Sequence, residues 1–192
     1  DESRPVIQLK ASLLDRMLEL LSAGLLLFTW LYCLYRYSSL PQVIPIHFNL
    51  EGKPDNYGSK LSLFLFPGII TLVYALLTVL NRHPHVYNYM QRITAENAAE
   101  YYTSATRLIR VIKFVITFFT MLLAIYITDS ASKSHSYLPW WLMPAFVLSM
   151  ILPVVFHLYA DQNDPGIVYW ASLLNSSLRI ITVYSFFITV QL

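Results

Sequence analysis

Charged residues are scarce in this chain. Asp, Glu, Lys and Arg together make up 12% of its 192 residues, whereas an ordinary soluble domain has about 25%. Hydrophobic residues make up 56%, and the mean hydropathy is +0.52. The balance is typical of a membrane protein that crosses the bilayer several times. The net charge of +2 is too small to indicate a nucleic-acid partner.

Other expected features are also missing. Cys33 is the only cysteine, so no intrachain disulfide can form and cysteine gives no information about the compartment. The chain contains no G-x-S-x-G, H-E-x-x-H or Gly-rich phosphate motif, which disfavours the commonest kinds of enzyme. We expect no cleavable signal peptide, because the first apolar run is longer than the apolar region of a signal.

Long apolar runs dominate the rest of the sequence. Because about 20 apolar residues suffice to cross a bilayer as a helix, they predict an all-α, polytopic membrane protein. Four transmembrane helices are predicted at about residues 17–37, 61–80, 111–127 and 141–159. The helix of the first span is expected to start within residues 11–16, with Ser12 as a candidate cap.

Residues 167–190 are apolar enough to form a fifth span. However, Arg179 would lie near its middle, where an arginine costs about 3 kcal/mol even on the gentlest scale. Arg179 is the only charge that we expect inside the membrane. A fifth helix therefore needs a partner for Arg179, and otherwise the first half of this segment lies on the membrane surface.

The loop at residues 38–60 is the chemically richest part of the chain. Its alternating residues predict an extended segment with His47 on the side opposite to the apolar ones, which are Ile44, Ile46 and Phe48. Gly52-Lys53-Pro54-Asp55 predicts a turn that folds the chain back on itself. We therefore expect His47 and Asp55 to lie within a few ångströms of each other, and Asp55 or Glu51 to hold Lys60.

Lys and Arg are distributed unevenly among the loops. Residues 1–10 are expected to be frayed. The N-terminal segment holds Arg4, Lys10 and Arg16, and the loop after the second span holds Arg82, Arg92, Arg107, Arg110 and Lys113, so the positive-inside rule places both in the cytoplasm. From Ala95, with Thr94 as a candidate cap, we expect an interfacial helix that continues into the third span as one helix of over thirty residues. Loop 38–60 and the loop that carries Lys133 are predicted to be extracytoplasmic.

Two stretches carry a resemblance to a known family. IPIHFNLEGKPDNYGSK at residues 44–60 and NRHPHVYNYMQRITAENAAEYYTSATRLIRVIK at residues 81–113 resemble bacterial membrane proteins related to the immunity protein SdpI, although the last third of the chain departs from SdpI itself. The resemblance implies a protein of the bacterial cytoplasmic membrane. SdpI-like members protect cells from a secreted toxic peptide and relay a signal to a cytoplasmic repressor.

The resemblance marks a set of residues without assigning them a chemical role. They are His47, Phe48, Asn49, Gly52, Pro54, Asp55, Gly58 and Lys60. His47 and Asp55 of this set, and the nearby Glu51, carry nitrogen and oxygen atoms that can coordinate zinc. His135, in the other loop predicted on the same side, could complete a metal site, and no other cofactor is indicated.

Loop 40–60 could be simply a well-folded connection between two spans. If it has a function, the sequence leaves three possibilities open. The first is binding and signalling, in which the loop recognises an extracytoplasmic ligand or toxic peptide and the basic face contacts a cytoplasmic protein or anionic lipid. The second is a metal-dependent membrane enzyme that uses His47 and Asp55. The third is an accessory subunit of a transporter. The small number of acidic and amide groups within the spans favours the first.

Overall fold

The computed structural model describes residues 4–49, 51–132 and 138–163, and for residues 160–163 it describes the backbone alone. In this part of the chain 68% of the residues are helical and 8% are in strands. The chain divides into two compact units, Asp1–Val154 and Val155–Leu192. Of the second unit, only the helical residues 155–163 are described. His135 and the candidate fifth span with Arg179 lie outside the described residues.

Four α-helices and one two-stranded antiparallel sheet make up the described chain. They are α1 (Leu13–Tyr37), β1 (Val43–Phe48), β2 (Pro54–Ser59), α2 (Leu65–Leu80), α3 (Ala98–Ser132) and α4 (Leu142–Asn163). Short 3-10 helices at Lys60–Phe64 and Pro84–Val86 precede and follow α2. Four helical segments are long and apolar enough to cross a membrane, which confirms the predicted fold class. The sheet is a local addition to it.

The boundaries of two helices follow from local sequence. Ser12 caps α1 as predicted, since its hydroxyl accepts the N–H of Asp15 at 3.2 Å while the Asp15 carboxylate accepts the N–H of Ser12 at 2.9 Å. Such a reciprocal pair satisfies two backbone donors at a helix start. The single long helix predicted through the third span is also present, although α3 begins at Ala98 rather than Ala95 and continues to Ser132.

Helices α1 and α3 run parallel and are joined near both ends. Asp15 and Arg107 pair at one end, while Tyr32 contacts Thr128 at 2.9 Å and Arg36 donates to Ser132 at 2.9 Å near the other. Between these contacts several buried residues of both helices are small, and small side chains let helix backbones approach closely. The buried small residues are Ser22, Thr29 and Cys33 on α1 and Thr117, Thr120, Ala124 and Thr128 on α3.

The connections gather at two ends of the bundle, which we call the hairpin end and the N-terminal end. The hairpin end holds β1, β2 and Leu138, and the N-terminal end holds residues 4–12 and 81–98. Residues 4–9 are not frayed as expected, because the Tyr102 hydroxyl bonds to Pro5 at 3.1 Å and Ile7 and Leu9 pack beside Tyr102. Helices α1, α2 and α3 therefore run in alternating directions, and α4 begins at the hairpin end.

Candidate functional site

Asn49 shapes the turn between β1 and β2. Its side-chain carbonyl oxygen accepts the backbone N–H groups of Glu51 and Lys53, each at 2.9 Å, and its own N–H donates to the Lys53 carbonyl at 2.9 Å. An asparagine that closes a turn in this way replaces backbone partners that the turn lacks. The predicted fold-back is therefore present, and Asn49 has a structural role in it.

Gly52 joins this turn to the chain that enters α4. Its φ of +75° is a conformation that other residues adopt only with strain. The Leu138 N–H donates to the Gly52 carbonyl at 2.8 Å, and a Cβ at residue 52 would overlap the Leu138 carbonyl oxygen. Only glycine fits here without displacing Leu138.

The base of the hairpin is anchored in the bundle. Ile44 is 1% exposed and belongs to a cluster with Cys33, Leu63 and Ala124, against which Phe48 also packs. The predicted alternation along β1 is wrong at two residues, because Pro45 is buried and Ile46 is exposed. The strand register shifts between Pro45 and His47, and such an irregularity redirects the side chains that follow it.

His47 and Asp55 lie together, as predicted. The Nδ1 atom of His47 is 2.5 Å from Oδ1 of Asp55, and the two side chains are 65% and 44% exposed. The Nε2 atom of His47 forms no hydrogen bond with the described part of the chain. A carboxylate that engages one ring nitrogen orients the imidazole, so the other nitrogen can bind a metal, a proton or a ligand donor.

The expectation that a carboxylate holds Lys60 is wrong. The Lys60 ammonium lies 4.5 Å from the centre of the Tyr37 ring, at the end of α1. Glu51 instead pairs with Lys53 at 2.8 Å, and this ammonium lowers the pKa of the Glu51 carboxyl. A cation over an aromatic face is a favourable alternative to an ion pair, and here it ties the start of the second span to the first.

No metal site is formed within the described ranges. Among those residues, no three His, Cys, Asp or Glu side chains are grouped so that they could hold an ion. His47 and Asp55 supply two ligand types, and Glu51 is engaged by Lys53. The remaining residue of the predicted set, His135, lies outside the described chain, so the full set stays a prediction.

A second group of polar residues, which sequence reasoning missed, lies between the helices near the N-terminal end. Lys113 of α3 is 1% exposed, and its ammonium contacts Oε1 of Glu19 on α1 and lies 2.8 Å from the Thr78 hydroxyl on α2. Tyr74 donates its hydroxyl to the same Glu19 oxygen at 3.0 Å and places its ring 4.1 Å from Lys113. Arg179 is therefore not the only charge within the predicted spans.

A neighbouring ion pair lies one helical turn closer to the N-terminal end. Arg107 donates to Asp15 at 2.9 Å, and their side chains are 18% and 3% exposed. On α1 the carboxylates Asp15 and Glu19 are four residues apart, with Arg16 between them, and on α3 the cations Arg107, Arg110 and Lys113 are three residues apart. Side chains at these spacings share one face of a helix, so a carboxylate face on one helix and a cationic face on another were the signal available in the sequence.

Comparison with known proteins gives a limited result. Residues 24–71 match the family described as a domain of unknown function, DUF1648, and this range covers most of α1, the hairpin and the start of α2. An uncharacterized protein of Archaeoglobus fulgidus is 36% identical over 67 residues, which cover 31% of this chain and 37% of the relative. The match thus spans well under half of that relative. No solved structure matches the chain.

Proposed function

We propose that this chain is a binding and signalling protein of the SdpI-like family in the bacterial cytoplasmic membrane. In this proposal the β1–β2 hairpin recognises an extracytoplasmic ligand, such as a toxic peptide. The proposal rests on the His47–Asp55 pair, which is exposed although other residues fix the conformation of the hairpin. DUF1648 is consistent with the family, since its match includes the whole hairpin.

The hairpin is suited to binding because its conformation is already fixed. Asn49 closes its turn, Gly52 bonds to Leu138, and Ile44 is buried in the bundle. A preformed surface loses little conformational freedom when a ligand binds, which favours affinity. Asn49, Gly52 and Ile44 thus fix the hairpin without help from His47 and Asp55, whose side chains are exposed.

A peptide suits the chemistry of this surface. Val43, Ile46 and Tyr57 are exposed on the same hairpin as His47 and Asp55. Exposed apolar residues beside polar ones are typical of protein interaction sites. A peptide could contact both kinds of side chain, whereas a small ion would use only the polar pair.

The distribution of charge supports an orientation for the protein. Among the described residues, the N-terminal end and the adjoining turns of α1 and α3 carry eight cations and four carboxylates, whereas the hairpin end carries three of each. The eight cations are Arg4, Lys10, Arg16, Arg82, Arg92, Arg107, Arg110 and Lys113. We place this end in the cytoplasm by the positive-inside rule. There it could contact anionic lipid or an acidic surface of a cytoplasmic protein.

A metal-dependent membrane enzyme is the second candidate. It is favoured by the orientation of His47, whose Nδ1 is engaged by Asp55 while Nε2 is directed to no described partner. Carboxylates commonly orient metal-binding histidines in this way. His135 would have to supply a further ligand. The third candidate, an accessory subunit of a transporter, gains support from the contact between Glu19 and the buried Lys113, because charges within membrane helices often mark ion pathways.

A resistance assay tests the proposal. The chain is expressed in bacteria that are sensitive to a secreted toxic peptide of the kind that SdpI-like proteins counter, and the peptide concentration that halves growth is measured. We expect the wild-type chain to raise this concentration. His47→Ala and Asp55→Ala should abolish the increase at equal membrane abundance.

Glu51→Ala is the matched control, since Glu51 is an exposed carboxylate of the same turn that contacts Lys53 and not His47. It should retain protection. Equal sensitivity of cells with and without the wild-type chain would reject the peptide-binding proposal. Retention of protection by both the His47 and Asp55 variants would reject the role assigned to the pair.

A further inference from the structure

We infer that α2 is a lever, anchored at the hairpin end and held at the other end by a polar latch. The latch consists of Lys113, Glu19, Tyr74 and Thr78. Its release would let the far end of α2 move away from α1 and α3 while those two helices stay together. The inference concerns the packing of α2 and does not depend on what the hairpin binds.

The near end of α2 is anchored by apolar and aromatic contacts. Leu63, in the 3-10 helix before α2, is buried in the cluster that also contains Ile44. Phe64 lies with its ring centre 6.0 Å from that of Trp30 and 5.3 Å from that of Tyr37, both on α1. The 3-10 helix at Lys60–Phe64 leads directly into α2, and such segments commonly serve as connectors at helix ends. This segment is where we expect α2 to pivot.

The body of α2 has little apolar attachment to the described chain. Pro67 is its only buried residue there, and Leu72, Leu76 and Val79 are more than half exposed. These residues suit contact with lipid, which attracts apolar side chains as well as a neighbouring helix does. Burial of apolar side chains therefore contributes little free energy to the packing of α2 against α1 and α3.

Polar contacts instead connect α2 to its neighbours. Trp30 donates to Thr71 at 3.0 Å near the middle of the helix. Further along, Tyr74 binds Glu19 of α1 and Thr78 binds Lys113 of α3. One ammonium and one carboxylate thus connect three helices at a single point. An arrangement of this kind is either complete or broken, because a partly satisfied buried charge is costly.

The pair formed by α1 and α3 has its own contacts and does not need the latch. Asp15–Arg107 joins these helices on one side of the latch, and Tyr32–Thr128 joins them on the other. Neither contact involves α2. Breaking the latch would therefore release α2 alone, which distinguishes a lever from general unfolding of the bundle.

Movement of α2 would reach the N-terminal end directly. The Tyr87 hydroxyl donates to the Leu80 carbonyl at 3.0 Å, which ties the loop after α2 to the last residue of the helix. Arg4 in turn bonds to the His85 carbonyl at 3.2 Å. A displaced α2 would carry this loop and its contact with the N-terminal segment along with it, and so would change the surface at that end.

Spin-label distances in lipid nanodiscs test the inference. The buried Cys33 is replaced by alanine, and labels are attached at Leu20→Cys on α1 and Leu76→Cys on α2, both of which are exposed residues. A second pair, Leu20→Cys and Ala99→Cys, reports on α1 and α3. We expect Lys113→Met to add a longer population to the α1–α2 distances and to leave the α1–α3 distances unchanged.

Arg107→Met is the matched control, because it breaks an ion pair of the same region that joins α1 to α3 without α2. It should leave the α1–α2 distances as in the wild type. If Lys113→Met does not fold, the Tyr74→Phe/Thr78→Val double variant removes the α2 side of the latch and should produce the same longer population. Unchanged α1–α2 distances in the folded latch variant, or an equal change in Arg107→Met, would overturn the inference.

Discussion

The backbone N–H of Leu138 donates a hydrogen bond to the carbonyl oxygen of Gly52 at 2.8 Å. It joins the turn of the hairpin to the residues that enter α4, across more than eighty positions of sequence. The contact is close because residue 52 has no side chain and a φ of +75°. The hairpin and the described residues just before α4 therefore meet at the hairpin end.

Gly52→Ala should destabilise the protein. A Cβ there is strained by the backbone conformation and overlaps the Leu138 carbonyl oxygen, so we expect a loss of about 2 kcal/mol or more. Thermal unfolding of the purified protein in detergent measures the effect. Gly24→Ala is the control, since a Cβ at that helical residue meets no atom within 4 Å. Equal unfolding temperatures for the two variants would contradict the docking of Gly52 on Leu138.

His47→Ala and Asp55→Ala should each change stability only slightly. Both side chains are largely exposed, and exposed ion pairs contribute about 0 to 1 kcal/mol. The unfolding temperatures of the two single variants and the double variant provide the measurement, with Glu51→Ala as a comparison. A large loss in both single variants, with no further loss in the double variant, would assign the pair a structural role instead.

Arg107→Ala should be strongly destabilising. It leaves the buried Asp15 carboxylate without its closest cation, and breaking one side of a buried ion pair costs about 3 to 5 kcal/mol. Arg16→Ala removes an exposed cation from the same end of the bundle and should change stability by about 0.5 kcal/mol or less. The two variants are compared by thermal unfolding in one detergent. Similar losses would show that Asp15 is solvated and does not need Arg107.

Cysteines at Asn56 and Asn88 should be labelled from opposite sides of intact cells. Both residues are exposed, the first on the hairpin and the second in the loop after α2, with the second span between them. In a Cys33→Ala background, we expect an impermeant thiol reagent added outside to modify only residue 56. Modification of both from outside would contradict the alternation of the spans, and modification of residue 88 alone would reverse the orientation.

Local sequence was sufficient for the features that depend on neighbouring residues. The lengths of the apolar runs predicted four spans because a bilayer has a fixed thickness. Ser12 predicted the start of α1 because a cap needs only the next turn of helix. The turn at residues 52–55 predicted the contact between His47 and Asp55, because a tight turn brings the two flanking segments of the chain together.

Only the tertiary structure decided which distant groups meet. Lys113 could be assigned to a basic loop until the parallel packing of α1 and α3 placed it beside Glu19, 94 residues earlier. Lys60 lies on Tyr37 rather than on a carboxylate, and Gly52 lies against Leu138. These contacts depend on the rotation and relative height of whole helices, which are set by packing over many residues. No local sequence pattern contains that information. The sequence therefore predicts where a charged residue lies along its helix, but not which residue on another helix it contacts.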